Sequence, residues 1–355
     1  MNTRNPVQQI GKMIGMMAFS LSPLFIPIDS QAQNKFPGKI HFGLVYPIST
    51  NGAHAPLDTN NLSLHLLAGV SASEQGAAFA GLANIVRHDS RGPQFAGLAN
   101  VNCGNLDGVQ FSGFINTAKT VTGAQFAGFM NAAAALNGSQ VAGFMNYASR
   151  KVGVSQIAGF MNKAADVDGA QVAGFINIAG KVKGAQIAGF INIADSSDYP
   201  IGIINIIKNG EKSIGISLDE NLTTMLSFRS GGKKLYGILG LGYNFRNDKE
   251  VYAMEAGLGA HFFQSNTFRL NTEAIAGSID SFKSGDYFKS SLKILPALRI
   301  GRIELFGGPS LNFISTNTQE GRELYSHFIK TWQNNHGGDF KALYLGYGAG
   351  IQLLF

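Results

Sequence analysis

The sequence predicts an all-β protein in two parts, a repeat β-solenoid followed by a small antiparallel barrel of the outer-membrane type. Three observations carry this. A phrase of 15 or 16 residues recurs nine times from Gly81 onward. Over residues 211–355 the phrase stops, and long runs alternate apolar with polar side chains. After the first thirty residues no window has the uninterrupted apolar length of a membrane helix. A secreted chain without such helices can still enter a membrane as a closed barrel.

The first element is an export signal. Arg4 and Lys12 give a positive start, Met13 to Ile28 is apolar, and Ser30-Gln31-Ala32 is a small-x-small cleavage site. Residues 1–32 therefore read as a signal peptide, with Pro23 and Pro27 arguing against a permanent anchor. Its loss removes Arg4, Lys12 and Asp29 and lowers the net charge from +6 to +5. So small an excess, scattered singly, is no nucleic-acid footprint. The single cysteine, Cys103, excludes an internal disulfide and reads as a small buried residue.

Residues 33–65 read as lead-in strands, and residues 66–210 as the repeat region. The phrase aligns on Gly-Phe-x-Asn at Gly113, Gly128, Gly143, Gly159, Gly174 and Gly189, with looser copies at Gly81, Gly97 and Gly202. So steady a step signals a repeat architecture. A helix is disfavoured energetically, because two fixed glycines per unit would each cost about 1 kcal/mol relative to Ala. The expected coil has two short strands and two glycine-bearing corners. Equivalent amides would stack from coil to coil as Gln125, Gln140, Gln156, Gln171 and Gln186, and as Asn131, Asn146, Asn162, Asn177 and Asn192. Lys151, Asp166, Asp168, Lys181 and Lys183 would fall at exposed corners. The alternative is one large barrel in which each unit is an antiparallel strand. A flat ligand-binding amide array is the functional alternative to a structural ladder, and stacking of one residue type at one position favours the ladder.

Residues 211–355 read as eight strands, each with one apolar and one polar face, the pattern of a transmembrane barrel. The last is clearest: Leu343, Leu345, Tyr347, Ala349, Ile351, Leu353 and Phe355 share an apolar face. Short connections such as Gly301 alternate with longer ones, Asp280–Lys289 and Ser315–Lys341. The polar faces put Arg229, Glu255, Arg269, Glu273, Lys293, Arg299 and Glu304 in the lumen. An eight-stranded barrel is just wide enough to be filled by such side chains. Glu273 is expected to pair with Arg269 or Lys293.

The phrase GxQxAGFxN, its preamble (Tyr46–Ser71) and its exit (Asp195–Glu220) resemble bacterial cell-surface repeat proteins of unknown function. The resemblance covers most of the mature chain. It implies association with the outer membrane and brings no catalytic residues. The sequence offers no enzyme signature either. Its seven histidines are dispersed without metal-ligand spacing, and no GxSxG or phosphate-binding loop occurs. Gly346-Tyr-Gly-Ala-Gly reads as small lumen-facing residues of a strand. No cofactor or metal is expected. The expected partners are outer-membrane lipid and an unspecified envelope protein or glycan. The expected role is a non-enzymatic envelope scaffold or interaction surface, with a solute-conducting large barrel or a soluble secreted adhesin as the alternatives.

Overall fold

The computed structural model describes residues 39–249, 251–282, 285–332 and 339–355. The expected signal peptide lies outside the described residues. The fold is all-β: a parallel solenoid of about ten turns, then a closed antiparallel barrel of eight strands. Among the described residues no helix is long and apolar enough to cross a membrane.

In the solenoid, equivalent residues of successive units pair in parallel and in register. Gln125 meets Gln140, and Asn131 meets Asn146. Such pairing is incompatible with the alternative of one large antiparallel barrel. The winding begins before the phrase does. Lys39–Val45 pairs in parallel with Thr59–Ser71, so the lead-in strands are themselves rungs.

Each coil has three strand segments, not the two expected. One carries the Gln, as in Ser155–Ala158, and one carries the Asn, as in Met161–Lys163. The third is often two residues long, as in Lys151–Val152 and Asp166–Val167. It supplies the apolar core: Leu106, Val121, Leu136, Val152, Val167 and Val182 are buried in one column, joined by Ala118, Ala133 and Ala148. Its two-residue strands are too short to show any alternation in the sequence.

Glycine marks the corner between the Gln and Asn sides because coils approach closely there. A Cβ on Gly128, Gly143, Gly174 or Gly189 would lie 2.1–2.2 Å from the carbonyl oxygen of the glycine one coil before. The following residue forms an outward aromatic column, with Phe114, Phe129, Phe144, Phe160 and Phe175 stacked at 4.8–5.1 Å. That spacing matches the separation of hydrogen-bonded strands.

All eight expected barrel strands are present: Glu211–Asp219, Thr223–Gly231, Leu235–Asn244, Tyr252–Phe262, Phe268–Asp280, Tyr287–Ile300, Ile303–Thr316 and Phe340–Leu354. Each pairs antiparallel with the next, and the first closes the ring on the last, from Ser213 opposite Leu354 to Asp219 opposite Gly348. Both ends of the ring lie at one end of the barrel, where every connection is short, 232–234, 263–267 and 301–302; at the other end 220–222 is also short and the remaining three connections are longer. At the other end the connection after Ile303–Thr316 carries a short helix, Gln319–Glu323, and a small strand, Lys330–Trp332. Leu324, Tyr325 and Phe328 from this connection pack with Tyr287, Ile314 and Tyr344.

The last solenoid rung joins the short-turn end. Asn205 donates its backbone N–H to Ser230 Oγ at 3.0 Å and its side-chain amide to the Ser230 carbonyl at 3.2 Å. Ile207 seals the solenoid core at this junction.

Candidate functional site

The two amide ladders run through the solenoid interior, and every Gln and Asn expected in them is fully buried. Each Gln donates Nε2–H to the Oε1 of the Gln one coil earlier, at 2.7–3.1 Å from Gln125 to Gln186. The Asn column runs in the opposite sense. Asn131 donates to Asn146, Asn146 to Asn162, and Asn162 to Asn177, at 2.9–3.0 Å. The same Nδ2 also donates to a backbone carbonyl of the next coil, that of Ile157 in the case of Asn146, at 2.7 Å. A carboxamide is both donor and acceptor, so it complements a copy of itself. With those groups engaged inside the rod, the ladders are structural and present no face to a ligand. Both columns extend beyond the expected members, through Gln94 and Gln110 and from Asn84 to Asn205.

The ladders stop at the end remote from the barrel, where a different set of polar residues fills the core. The apolar column gives way to Ser90, Glu74 and Asn60, and the Gln column to Ala78, Ser63 and His41. His65 takes a position occupied elsewhere by Ala, and its ring fills the space of the missing Asn. Gly69 stands at that Asn position, and a Cβ there would lie 1.9 Å from the ring. Ser63 donates to Glu74 Oε1 at 2.7 Å, and Asn60 to the same oxygen at 3.3 Å. The rings of His41 and His65 meet edge to face at 4.4 Å. Burial pushes the Glu74 carboxyl up from its usual range, against hydrogen bonds from Ser63, Ser71 and Asn60 that lower it. Burial also lowers His41, and with the neighbouring His41 it brings His65 down to about 4. All three shifts favour neutral forms, as expected of polar groups removed from water. Among the described residues no group of three His, Cys, Asp or Glu side chains is arranged to hold a metal ion.

The barrel lumen is built on opposite charges. Arg229 grips Glu273 through Nε at 2.8 Å and Nη2 at 3.3 Å, and Tyr236 donates to the same carboxylate at 3.0 Å. This corrects the expected partner of Glu273. Lys293 is its neighbour in strand register but turns to Glu255, at 3.8 Å, while Arg269 pairs with Glu304 at 2.7 Å and Glu211 at 2.5 Å. The pairing reaches across the lumen between non-adjacent strands, which spacing along the chain does not reveal. Arg299 keeps the inward parity of its strand but sits at the rim of the lumen. Its side chain is 35% exposed at the short-turn end, 3.5 Å from Glu211.

Sequence reasoning missed a second cluster. Lys289 donates to Asp219 and Glu220 at 2.9 Å each, and Tyr344 donates to Glu220 at 2.8 Å. Lys289 was expected at the edge of a loop, but the strand starts at Tyr287 and carries it inward. Gly346 faces Glu220 and Asn312 closely enough that a Cβ would lie 2.5 Å from either side chain, in keeping with its reading as a lumen-facing strand residue. The cavity left among these side chains is about 70 Å³. Cys103, expected to be buried, is exposed at a solenoid corner.

The outer surfaces complete the picture. The barrel wall presents Leu241, Leu292, Ile300, Leu345 and Phe355, which are 59–69% exposed. On the solenoid the Gln side carries an outward stack of Phe79, Phe95, Phe111 and Phe126, beside which runs a groove of about 1490 Å³ floored by Ala and Gly. No protein-family model matches this chain, and neither does any curated protein or solved structure.

Proposed function

We propose that the protein is a non-enzymatic envelope scaffold, held in the outer membrane by its barrel and presenting the solenoid on the periplasmic side. The observation that carries this reading is the barrel cross-section. All eight strands turn apolar side chains outward around a lumen of paired charges, an arrangement suited to lipid outside and polar contacts inside. The expected signal peptide supplies the route out of the cytoplasm. The connections support this orientation. Barrels of this kind keep short turns in the periplasm and longer loops outside, and the solenoid is attached at the short-turn end. The resemblance to cell-surface repeat proteins favours the opposite side, so orientation needs its own test. A conducting role has less support, because the lumen is largely filled. The processed protein should fractionate with outer membranes and resist carbonate and high-salt washing. Protease added to intact cells should leave the rungs whole, and outer-membrane permeabilisation should expose them. Recovery as a soluble periplasmic monomer refutes the anchor, and cleavage of the rungs on intact cells refutes the orientation.

A further inference from the structure

Two outward apolar columns run along the solenoid. The corner column continues from Leu82 and Leu98 through Phe114 to Phe190, and the column on the Gln side passes from Phe126 to Val141, Ile157, Val172 and Ile187. No charged residue interrupts either over these coils. The charges gather on the third side, at Lys151, Asp166, Asp168, Lys181 and Lys183. A contiguous apolar face of this length is rare on a soluble monomer.

The corner column leads onto the barrel. Its last member, Ile203, lies over the outward face of the strand Leu235–Asn244, where a Cβ on Gly237 would be 2.1 Å from the carbonyl oxygens of Gly202 and Ile203. Leu239 and Leu241 extend the same outward face, at 37% and 63% exposure. The solenoid edge and the barrel wall therefore share one apolar strip. The groove along the Gln side spans about seven rungs, from Phe42 to Val141, roughly 30 Å at about 4.8 Å each. Its walls offer rings and methyl groups, while the strand N–H and C=O groups are engaged from rung to rung. A protein partner would be expected to meet a polar rim with directional hydrogen bonds. Acyl chains require only apolar contact.

We infer that this edge of the solenoid binds the acyl chains of the membrane that holds the barrel. The inference rests on the membrane reading above, and the test separates the two. The only tryptophan, Trp332, is replaced by Phe, and single reporters are placed in the full-length protein: Phe144→Trp on the corner column, Leu241→Trp on the barrel wall and Thr122→Trp on the charged side. Each is reconstituted into phosphatidylcholine vesicles brominated on the acyl chains. The Phe144 and Leu241 reporters should lose most of their emission, and the Thr122 reporter should keep nearly all of it. Quenching at Leu241 alone overturns the inference and leaves the barrel anchor standing. Quenching at none of the three removes both. Equal quenching at all three overturns binding by this edge, as does protection of Phe144 by self-association of the chain. Phe175→Trp, in the same column, reads the same surface if the Phe144 variant does not fold.

Discussion

In the solenoid the side chain that meets Gln140 one coil away is another glutamine, whereas in the barrel the side chain that meets Glu273 is an arginine. Parallel in-register stacking brings like to like every 4.8 Å or so. A column of one ionised residue would place like charges at that spacing, where two unit charges repel by about 3.5 kcal/mol at an effective dielectric of 20. A neutral amide avoids this and complements itself. Antiparallel strands around a lumen bring unlike residues together, so opposite charges can be used. The solenoid's own charges support the rule. They lie at exposed corners and alternate in sign along the register, Lys151 beside Asp166 beside Lys181, with Asp168 bonded to both Lys151 and Lys183.

The widest consequence concerns deletion. Each coil contacts only its neighbours, so removing Ser139–Val154 places Ser155 where Ser139 stood and should shorten the rod while preserving the fold. Removing one barrel strand, Ile303–Thr316, reverses the chain beyond it and leaves the ring open. Heat-modifiable migration in outer-membrane fractions should survive the first deletion and vanish with the second. Failure of the rung deletion to assemble would break the comparison at its base.

Next in size is the lumen pair. Glu273→Ala leaves Arg229 buried without its carboxylate, a change that costs about 3–5 kcal/mol when one partner of a buried pair is removed. Glu273→Leu combined with Arg229→Met should recover most of the loss. Unfolding midpoints in detergent measure both, and an unchanged midpoint in the single variant would place these residues in contact with water.

A ladder position should cost less. Asn146→Leu deprives Asn162 Oδ1 and the Ile157 carbonyl of their donor, and Asn131 of one acceptor. Leaving a buried group unsatisfied costs about 1–3 kcal/mol. Hydrogen exchange should speed up in rungs 130–163 and stay slow in the barrel. Exchange that rises equally in both would show that the two parts unfold as one.

These effects also indicate what could be read in advance. The ladders were legible because one letter recurs at one step, and the eight strands because alternation survives over nine or more residues. The third side of the coil was hidden by its brevity, although Leu106, Val121, Leu136, Val152, Val167 and Val182 already kept the repeat's step. Lumen membership followed from alternation, but partners did not, since Arg229 and Glu273 meet across space that no strand register spans. At the polar end the loose copies at Gly81 and Gly97 already set Glu74 and Ser90 in step with Leu106, although their letters differ from the apolar column, and only Asn60, ahead of the phrase, is aligned by the fold alone.

That polar end sharpens the comparison most gently, because its two kinds of group titrate against each other. Stability rises with pH wherever the unfolded chain binds more protons than the fold. Burial holds His65 at about 4 against an ordinary 6.5, so between these values the unfolded chain is the more protonated, and the first rungs lose stability as pH falls through that window. His41 acts in the same direction. Glu74 acts in the other, because its raised carboxyl binds protons in the fold that the unfolded chain has released above 4.5, and stability is gained as pH falls through that range. In the parent protein the carboxyl therefore opposes the two imidazoles. Glu74→Gln keeps an oxygen to accept from Ser63 and removes the opposing titration, so protection of residues 59–80 against hydrogen exchange should fall more steeply as pH drops from 6.5 towards 4. His65→Phe keeps a ring in the space that Gly69 leaves and removes the main titrating imidazole, so it should reduce that slope. If neither variant changes it, the two rings and the carboxyl are open to water, and the rod ends in a solvated cluster in place of a neutral buried one.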